Sequence, residues 1–211
     1  MLRVGLTGGV ACGKSSVAKM FAEFGAQIID ADRIVHDLYE PGEEVFEELV
    51  RCFGTEIVQQ PSGRIDRAKL ASLAFDGERV EELNKIVHPA VIKRQEQWMR
   101  EVGEKDPYAV AIVEAALIFE AGVKERFDKV IVVTCKPAQK VTRFAQRSGM
   151  PESVAHADVE RRTKAQISDE EKARRADYVI DNSHSLEETR HQVQRISVEL
   201  KVLSKRLFFD R

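Results

Sequence analysis

The sequence predicts an α/β fold, a five-stranded parallel sheet flanked by helices, with a helical insertion and a helical hairpin near the strand ends. Three observations carry this. Five apolar runs have strand length: Leu2 to Leu6, Ala26 to Ile29, Tyr108 to Val113, Lys129 to Thr134 and Tyr178 to Ile180. Near-continuous apolar runs such as these belong to strands buried on both faces. Segments of helical period separate them, which is the pattern of a parallel sheet wrapped by helices. The first run empties into Gly8, four further residues and then Gly13-Lys14-Ser15.

Composition sets the outer limits. The chain has 211 residues, 43% of them hydrophobic and 32% charged. That suits one large core with insertions. Net charge is −2 and the isoelectric point about 6.3, so no global basic field draws the chain to nucleic acid. Cys12, Cys52 and Cys135 are odd in number and far apart in sequence. They make neither a disulfide framework nor a zinc pattern, and a reducing cytoplasm is expected. The N-terminus does not read as a signal peptide. No apolar run approaches the ~18 residues of a membrane span.

The spacing Gly8-x-x-x-x-Gly13-Lys14-Ser15 is that of a phosphate-binding loop between a strand and a helix. Gly8, Gly9 and Gly13 let the backbone turn its N–H groups inward, toward phosphate oxygens at a helix N-terminus. Lys14 is expected to reach the β- and γ-phosphates and Ser15 to ligate Mg²⁺. The following helix carries Val17, Met20, Phe21 and Phe24 on one stripe and stops at Gly25. The second strand ends at Asp30-Ala31-Asp32. One carboxylate there is expected to cap the helix Arg33 to Tyr39. The other, Asp32, is the candidate base that accepts a proton from an attacking hydroxyl.

From Pro41-Gly42 to Lys105 the pattern is helical. Val45, Phe46, Leu49, Val50 and Phe53 form a stripe closed by Gly54, and Asp66 is a cap for the helix with Leu70, Leu73 and Ala74. His88-Pro89 is expected to break a helix, with Pro89 in the first turn of the next. The residue pattern alone reads His88 as half-buried at that junction. Gly103 to Pro107 reads as a linker. Glu114 ends the third strand and is either a Mg²⁺ ligand or a helix N-terminal glutamate.

Ala138 to Gln146 and Pro151 to Gln166 read as a helical hairpin carrying Arg143, Arg147, Arg161, Arg162 and Lys164. Guanidinium forks bind phosphate bidentately, so the hairpin suits a lid; a solvated face is the plain alternative. Ser168-x-x-Glu171 and Ser185-x-x-Glu188 are capping boxes. The second opens a long helix with Val193, Ile196, Val198, Leu200 and Leu203 inward, ending near Lys205. Cys12, beside Lys14 at a helix N-terminus, is expected to have a lowered thiol pKa, against the reading of a passive small residue.

Nearly the whole chain resembles the dephospho-CoA kinases. The matching stretches are Leu6 to Ser16, Asp30-Ala31-Asp32, His88-Pro89, Glu114 to Glu120, the pattern of Arg147, Arg162 and Gln166, and Ala176 to Asn182. The resemblance implies the P-loop NTPase fold of nucleoside and nucleotide kinases. Its parts are a core of residues 1–31, 106–136 and 170–211, a helical acceptor domain of residues 32–105 and a lid of residues 137–169. It implies ATP as donor with Mg²⁺, and phosphorylation of the ribose 3′-hydroxyl of dephospho-CoA in the cytoplasm by a monomer or small homo-oligomer. Asp32, Lys14 and Arg147 are then catalytic. Gly8, Gly9, Val10, Ala11, Cys12, Gly13, Lys14, Ser15, Ser16, Arg147, Arg162 and Asn182 bind ATP. Asp32, His88 and Glu120 bind the acceptor, and Ser15 and Glu114 hold the metal. Ala11, Cys12, Ser16, Ala116 and His184 depart from the family pattern; the exchanges at Ala11, Cys12 and Ser16 are expected to cost little, because the loop's backbone does the cradling. The competing readings are another nucleotide kinase and a nucleotide-dependent switch with no small acceptor.

Overall fold

A computed structural model describes residues 1–209. Two compact units emerge, residues 1–29 with 99–211 and residues 30–98. The first holds most of the sheet. Strands β1 (Leu2–Gly8), β2 (Gln27–Asp30), β3 (Val110–Glu114), β4 (Lys129–Thr134) and β5 (Tyr178–Asp181) take the order β2-β3-β1-β4-β5. The pairs β1–β3, β1–β4 and β4–β5 are parallel. Every residue of β3 is buried, as a strand covered on both faces requires.

Helix α1 (Lys14–Glu23) follows β1, and α9 (Leu186–Phe209) closes the chain. Val17, Met20 and Phe21 of α1 pack with Val193, Ile196 and Leu200 of α9 and with the strand residues Val4, Leu6, Ile131 and Val133. The long helix is opened by a reciprocal cap: Ser185 N–H donates to Glu188 Oε2 at 2.9 Å, and Glu188 N–H to Ser185 Oγ at 3.2 Å. It runs past Lys205. Val198, expected inward, is 59% exposed. It lies two residues from Ile196 and from Leu200, and a spacing of two crosses a helix to another face.

Helices α6 (Pro137–Ser148) and α7 (Glu152–Lys164) form the hairpin, turned at Gly149. Phe144, Ala145, Ala155 and Val159 make its small core, and Val10 of the loop after β1 packs into it. Helix α8 (Asp169–Arg175) is capped by Ser168, which accepts from Glu171 N–H. The Glu171 carboxylate turns to Arg174 and Arg175 instead of closing that box.

The second unit is helical. It contains α2 (Ala31–Leu38), α3 (Glu44–Phe53), α4 (Arg67–Asp76) and the start of α5 (Val80–Lys105). Gly54 ends α3 at φ 88°, and Asp66 caps α4 through Lys69 N–H at 3.0 Å. Arg79, ahead of α5, donates to the Cys52 carbonyl at 2.9 Å, lies over the Phe53 ring and pairs with Glu82. One arginine thus joins the end of α3 to the start of α5.

Helix α5 corrects two expectations. His88-Pro89 does not break it, since Pro89 lies inside one continuous helix. An interior proline costs a helix about 3 kcal/mol. Here one buried face continues across it, with Val87 before Pro89 and the amide of Gln95 and Met99 after it at helical spacing. Gly103 is likewise helical and not a linker. A Cβ there would lie 3.5 Å from Met1 Sδ, ordinary contact, so the glycine is not forced by a close approach.

Candidate active site

The loop from Gly8 to Lys14 joins the central strand to a helix N-terminus, where unsatisfied N–H groups collect and favour anions. Contacts dictate its glycines. A Cβ on Gly8, at φ 152°, would come within 2.2 Å of the Val133 carbonyl oxygen on β4. On Gly13, at φ 89°, it would meet Asn182 Nδ2 at 2.3 Å. Ala11 takes a backbone conformation that glycine adopts more readily. It holds φ 53°, a left-handed conformation that costs a residue with a Cβ about 1–2 kcal/mol. Its contact with the Val10–Phe144 cluster helps hold it there.

Lys14 folds back over the loop. Its Nζ donates to the carbonyl oxygens of Gly8 at 3.0 Å and Gly9 at 3.1 Å. Ser15 Oγ donates to Glu114 Oε1 at 2.7 Å. The sheet register explains that meeting of residues distant in sequence. Leu6 lies opposite Glu114, so pairing of β1 with β3 delivers the carboxylate to the loop. Glu114 is 8% exposed and is the last residue of β3, which disposes of the helix-start alternative. A hydroxyl and a carboxylate oxygen side by side fit Mg²⁺, a hard cation that takes one or two carboxylates and completes its shell with water and phosphate oxygens. Ser16 lies in the first turn of α1, its N–H donating to Gly13 O at 3.1 Å.

Asn182 is built into the loop. It is 6% exposed, its Nδ2 donates to the Cys12 carbonyl at 2.8 Å, and its Oδ1 accepts from Thr189 Oγ1 at 3.0 Å. Its backbone carbonyl accepts from Arg143 at 2.9 Å. His184, beside it, is exposed, 3.4 Å from Asp181. The Ala116 carbonyl accepts from buried Thr7 Oγ1 at 3.0 Å, so the segment after β3 is tied to β1 despite its departure from the pattern.

The basic residues of the hairpin divide. Arg161 and Arg162 pair with Asp158, and Lys164 pairs with Glu160, one turn away on the same helix. Arg147 and Arg162 lie over the Phe144 ring, their guanidinium carbons 5.5 and 5.4 Å from its centroid. Arg143 is the member of this set that reaches the loop. Its second terminal nitrogen, Nη1, is buried with no hydrogen-bond partner among the described residues, 3.8 Å from where a Gly13 Cβ would stand. A buried N–H group without an acceptor is costly and marks a place for one. Charge pattern alone gives Arg143 no more weight than its neighbours. The available signal is its place beside Phe144 and three residues after Lys140, both on the buried stripe of α6.

Glu120 is held by the protein itself. Its Oε1 accepts from Lys172 Nζ at 2.9 Å and from Ile167 N–H at 3.1 Å, and Lys172 also donates to Gln166 Oε1 at 3.0 Å. Lys172 is fully buried, and Glu120 Oε2 has no partner among the described residues. Lys172 sits on a helix whose sequence reads as charged surface, and no local pattern points to its burial.

Cys12 reverses its expectation. It is buried, and its sulfur lies 3.4 Å from that of Cys135. The hydrogen bond with Cys135 and burial push the Cys12 thiol far up, so Cys12 keeps its proton. The same hydrogen bond, helped by Arg143 and Lys140, brings Cys135 down to about 7. Of the two, Cys135, directly after β4, is the thiol whose ionisation its neighbours favour.

In the second unit, Asp30 is the cap of α2, accepting from Asp32 N–H at 2.8 Å. The two carboxylates are thus divided in role, with Asp32 in the first turn. His88 is exposed within the first half of α5, neither half-buried nor at a junction. Arg94, two turns on, pairs with Glu43 at 3.2 Å.

The family model for dephospho-CoA kinase matches residues 2–188. A dephospho-CoA kinase of Aquifex aeolicus is 44% identical over 201 residues, covering 95% of this chain and 98% of that one. Among solved structures, the Thermus thermophilus protein TT1252 superposes with a TM-score of 0.75 at 32% identity, over 93% of this chain and 96% of that one. The dephospho-CoA kinase of Campylobacter jejuni superposes at 0.67 and 25% identity, over 94% and 96%. A phosphate loop with a carboxylate beside its serine, in a five-stranded sheet matched along nearly its full length, makes this chain a member of the dephospho-CoA kinase family.

Proposed function

We propose that this protein transfers the γ-phosphate of ATP to the ribose 3′-hydroxyl of dephospho-CoA, completing coenzyme A. The observation that carries the reading is the meeting of Ser15 with Glu114 beneath the loop whose carbonyls hold Lys14. In phosphoryl transfer the protein's task is positioning and electrostatic stabilisation. The loop N–H groups cradle the phosphates. Lys14 leaves the Gly8 and Gly9 carbonyls for the β- and γ-phosphates, exchanging neutral acceptors for charged ones. Ser15 and Glu114 would hold Mg²⁺, which would supply neutralising charge at the phosphates. Arg143 offers its buried guanidinium nitrogen to the nucleotide, and Arg147 and Arg162 close with the hairpin over the phosphates. Asn182 keeps the loop in shape from the adenine side. Asp32 accepts the proton of the 3′-hydroxyl, and Asp30 fixes the turn from which it acts. His88 serves the acceptor. Glu120 acts through the hairpin base that it ties to Lys172.

The test is to mix purified protein with Mg-ATP and dephospho-CoA and follow ADP and the 3′-phosphorylated product, with an Asp32→Asn variant beside it. Stoichiometric product, largely lost in the variant, is the expected result. Product that persists in the variant removes Asp32 as base. Slow ADP release indifferent to dephospho-CoA overturns the acceptor and favours a switch.

A further inference from the structure

Two cysteines that sequence places far apart come together under the phosphate loop. Cys12 lies within it and Cys135 directly follows β4, and their sulfurs are in van der Waals contact at 3.4 Å. Around them are three charged groups. Lys140 pairs with Asp169 at 2.5 Å, and Asp169 Oδ2 lies 3.9 Å from Cys12 Sγ. Arg143 reaches the neighbouring Asn182 carbonyl. Cys12 is sealed from solvent, but Cys135 lines a cavity of about 880 Å³ bounded also by Lys140, His156, Val159 and Asp169. Cys135 is thus the residue of the pair that borders the cavity, and Cys12 touches it from within the loop.

We propose that Cys12 and Cys135 are a dithiol oxidised by hydroperoxides to a disulfide that closes the phosphate loop to nucleotide. In the first step the Cys135 thiolate attacks the peroxide O–O bond. A sulfur–oxygen bond forms, the O–O bond breaks, and the departing alkoxide or hydroxide takes a proton from water. In the second step Cys12 sulfur attacks Cys135 sulfur. The S–S bond forms, the S–O bond breaks, and the leaving hydroxide combines with the Cys12 proton as water. Two thiols lose two electrons in all, and one hydroperoxide is reduced to an alcohol or water. Thiols of intracellular proteins that pair in this way are typically sensing or catalytic.

The consequence for the loop is geometric. A disulfide needs the sulfurs at about 2.05 Å, which draws the Cys12 segment of the loop and the residue after β4 toward each other. The Cys12 carbonyl is the group that Asn182 Nδ2 holds, and Gly13 and Lys14 follow it directly. Drawing Cys12 inward breaks that hydrogen bond and turns the loop N–H groups away from a bound phosphate.

The experiment treats the whole chain with hydrogen peroxide and reads three things: intact mass, the linked peptides without reduction, and ADP affinity before and after a thiol reductant. A species two hydrogens lighter, a Cys12–Cys135 peptide link and affinity weaker by about tenfold or more, restored on reduction, are expected. Cys135→Ser removes all three effects and Cys52→Ser removes none. A Cys135 that oxidises stepwise to sulfinic acid without a link to Cys12, or a peroxide effect that survives in Cys135→Ser and in Cys135→Ala, overturns the proposal. A link that leaves ADP affinity unchanged overturns the gating. Mass and peptide link do not depend on nucleotide binding, so they stand apart from a failure of the kinase reading, in which untreated protein would not bind ADP.

Discussion

The phosphate loop and the helical hairpin are neighbours, and both carry the charged residues a kinase needs, but the chain treats them differently. In the loop the functional groups are engaged over long sequence separation: Ser15 with Glu114, Cys12 with Asn182, Cys12 with Cys135. On the hairpin, Arg161, Arg162 and Lys164 are satisfied by acids one turn away on the same helix. Exposed pairs of that kind contribute little and are broken at little cost. The loop is therefore set before any ligand arrives, whereas the hairpin's surface charges can change partners when one does. Arg143 belongs to the hairpin by sequence and to the loop by contact.

The largest test of that contrast is Lys14→Ala. Removing the cation that the loop carbonyls hold is expected to lower kcat by about 10²–10³-fold, measured by product formation. Equal activity in the variant would break the comparison at its strong end. Next comes Glu114→Gln, which keeps a hydrogen-bond acceptor for Ser15 but removes the charge. Activity is expected to fall by about tenfold or more at low Mg²⁺ and to recover in part as Mg²⁺ is raised. No dependence on Mg²⁺ would make the pair structural.

Arg143→Gln against Arg161→Gln reads the two kinds of arginine directly. The first is expected to weaken ATP binding by about tenfold, and the second to leave it within about twofold, by titration calorimetry. A reversed order would return the weight to the surface of the hairpin. The smallest effect is a pH dependence. The hydrogen bond to Cys12, with Arg143 and Lys140 nearby and against burial and Asp169, brings the Cys135 thiol down to about 7. Since the thiolate is the nucleophile, alkylation of Cys135 is expected to be slow below that pH and to rise through it, read by mass as a function of pH. A midpoint near that of an ordinary thiol would detach Cys135 from the loop.

Sequence showed the fold where its signals were local. The five strand runs, the Ser185–Glu188 cap, Asp66 before α4 and Gly54 after α3 all depend on neighbours within four residues, and all are present. It misread α5 because a proline and a glycine are strong local signals for a break, and packing of the stripe on either side outweighed them. It misread Cys12 because helix N-termini and lysines lower thiol pKa locally, while the group that decides the matter, Cys135, is 123 residues away.

The same division runs through the site. The loop, with its glycines, Lys14 and Ser15, and the aspartates where β2 gives way to α2 were legible in the chain alone, because their spacing along the backbone is their geometry. Only the tertiary structure decided that Glu114 meets Ser15, that Asn182 braces Cys12, that Arg143 and not its surface neighbours reaches the loop, and that two buried thiols touch. Those pairings follow from strand register and helix packing, in which residues far apart in the chain are brought to hydrogen-bond distance by parts of the sequence that take no part in the contact.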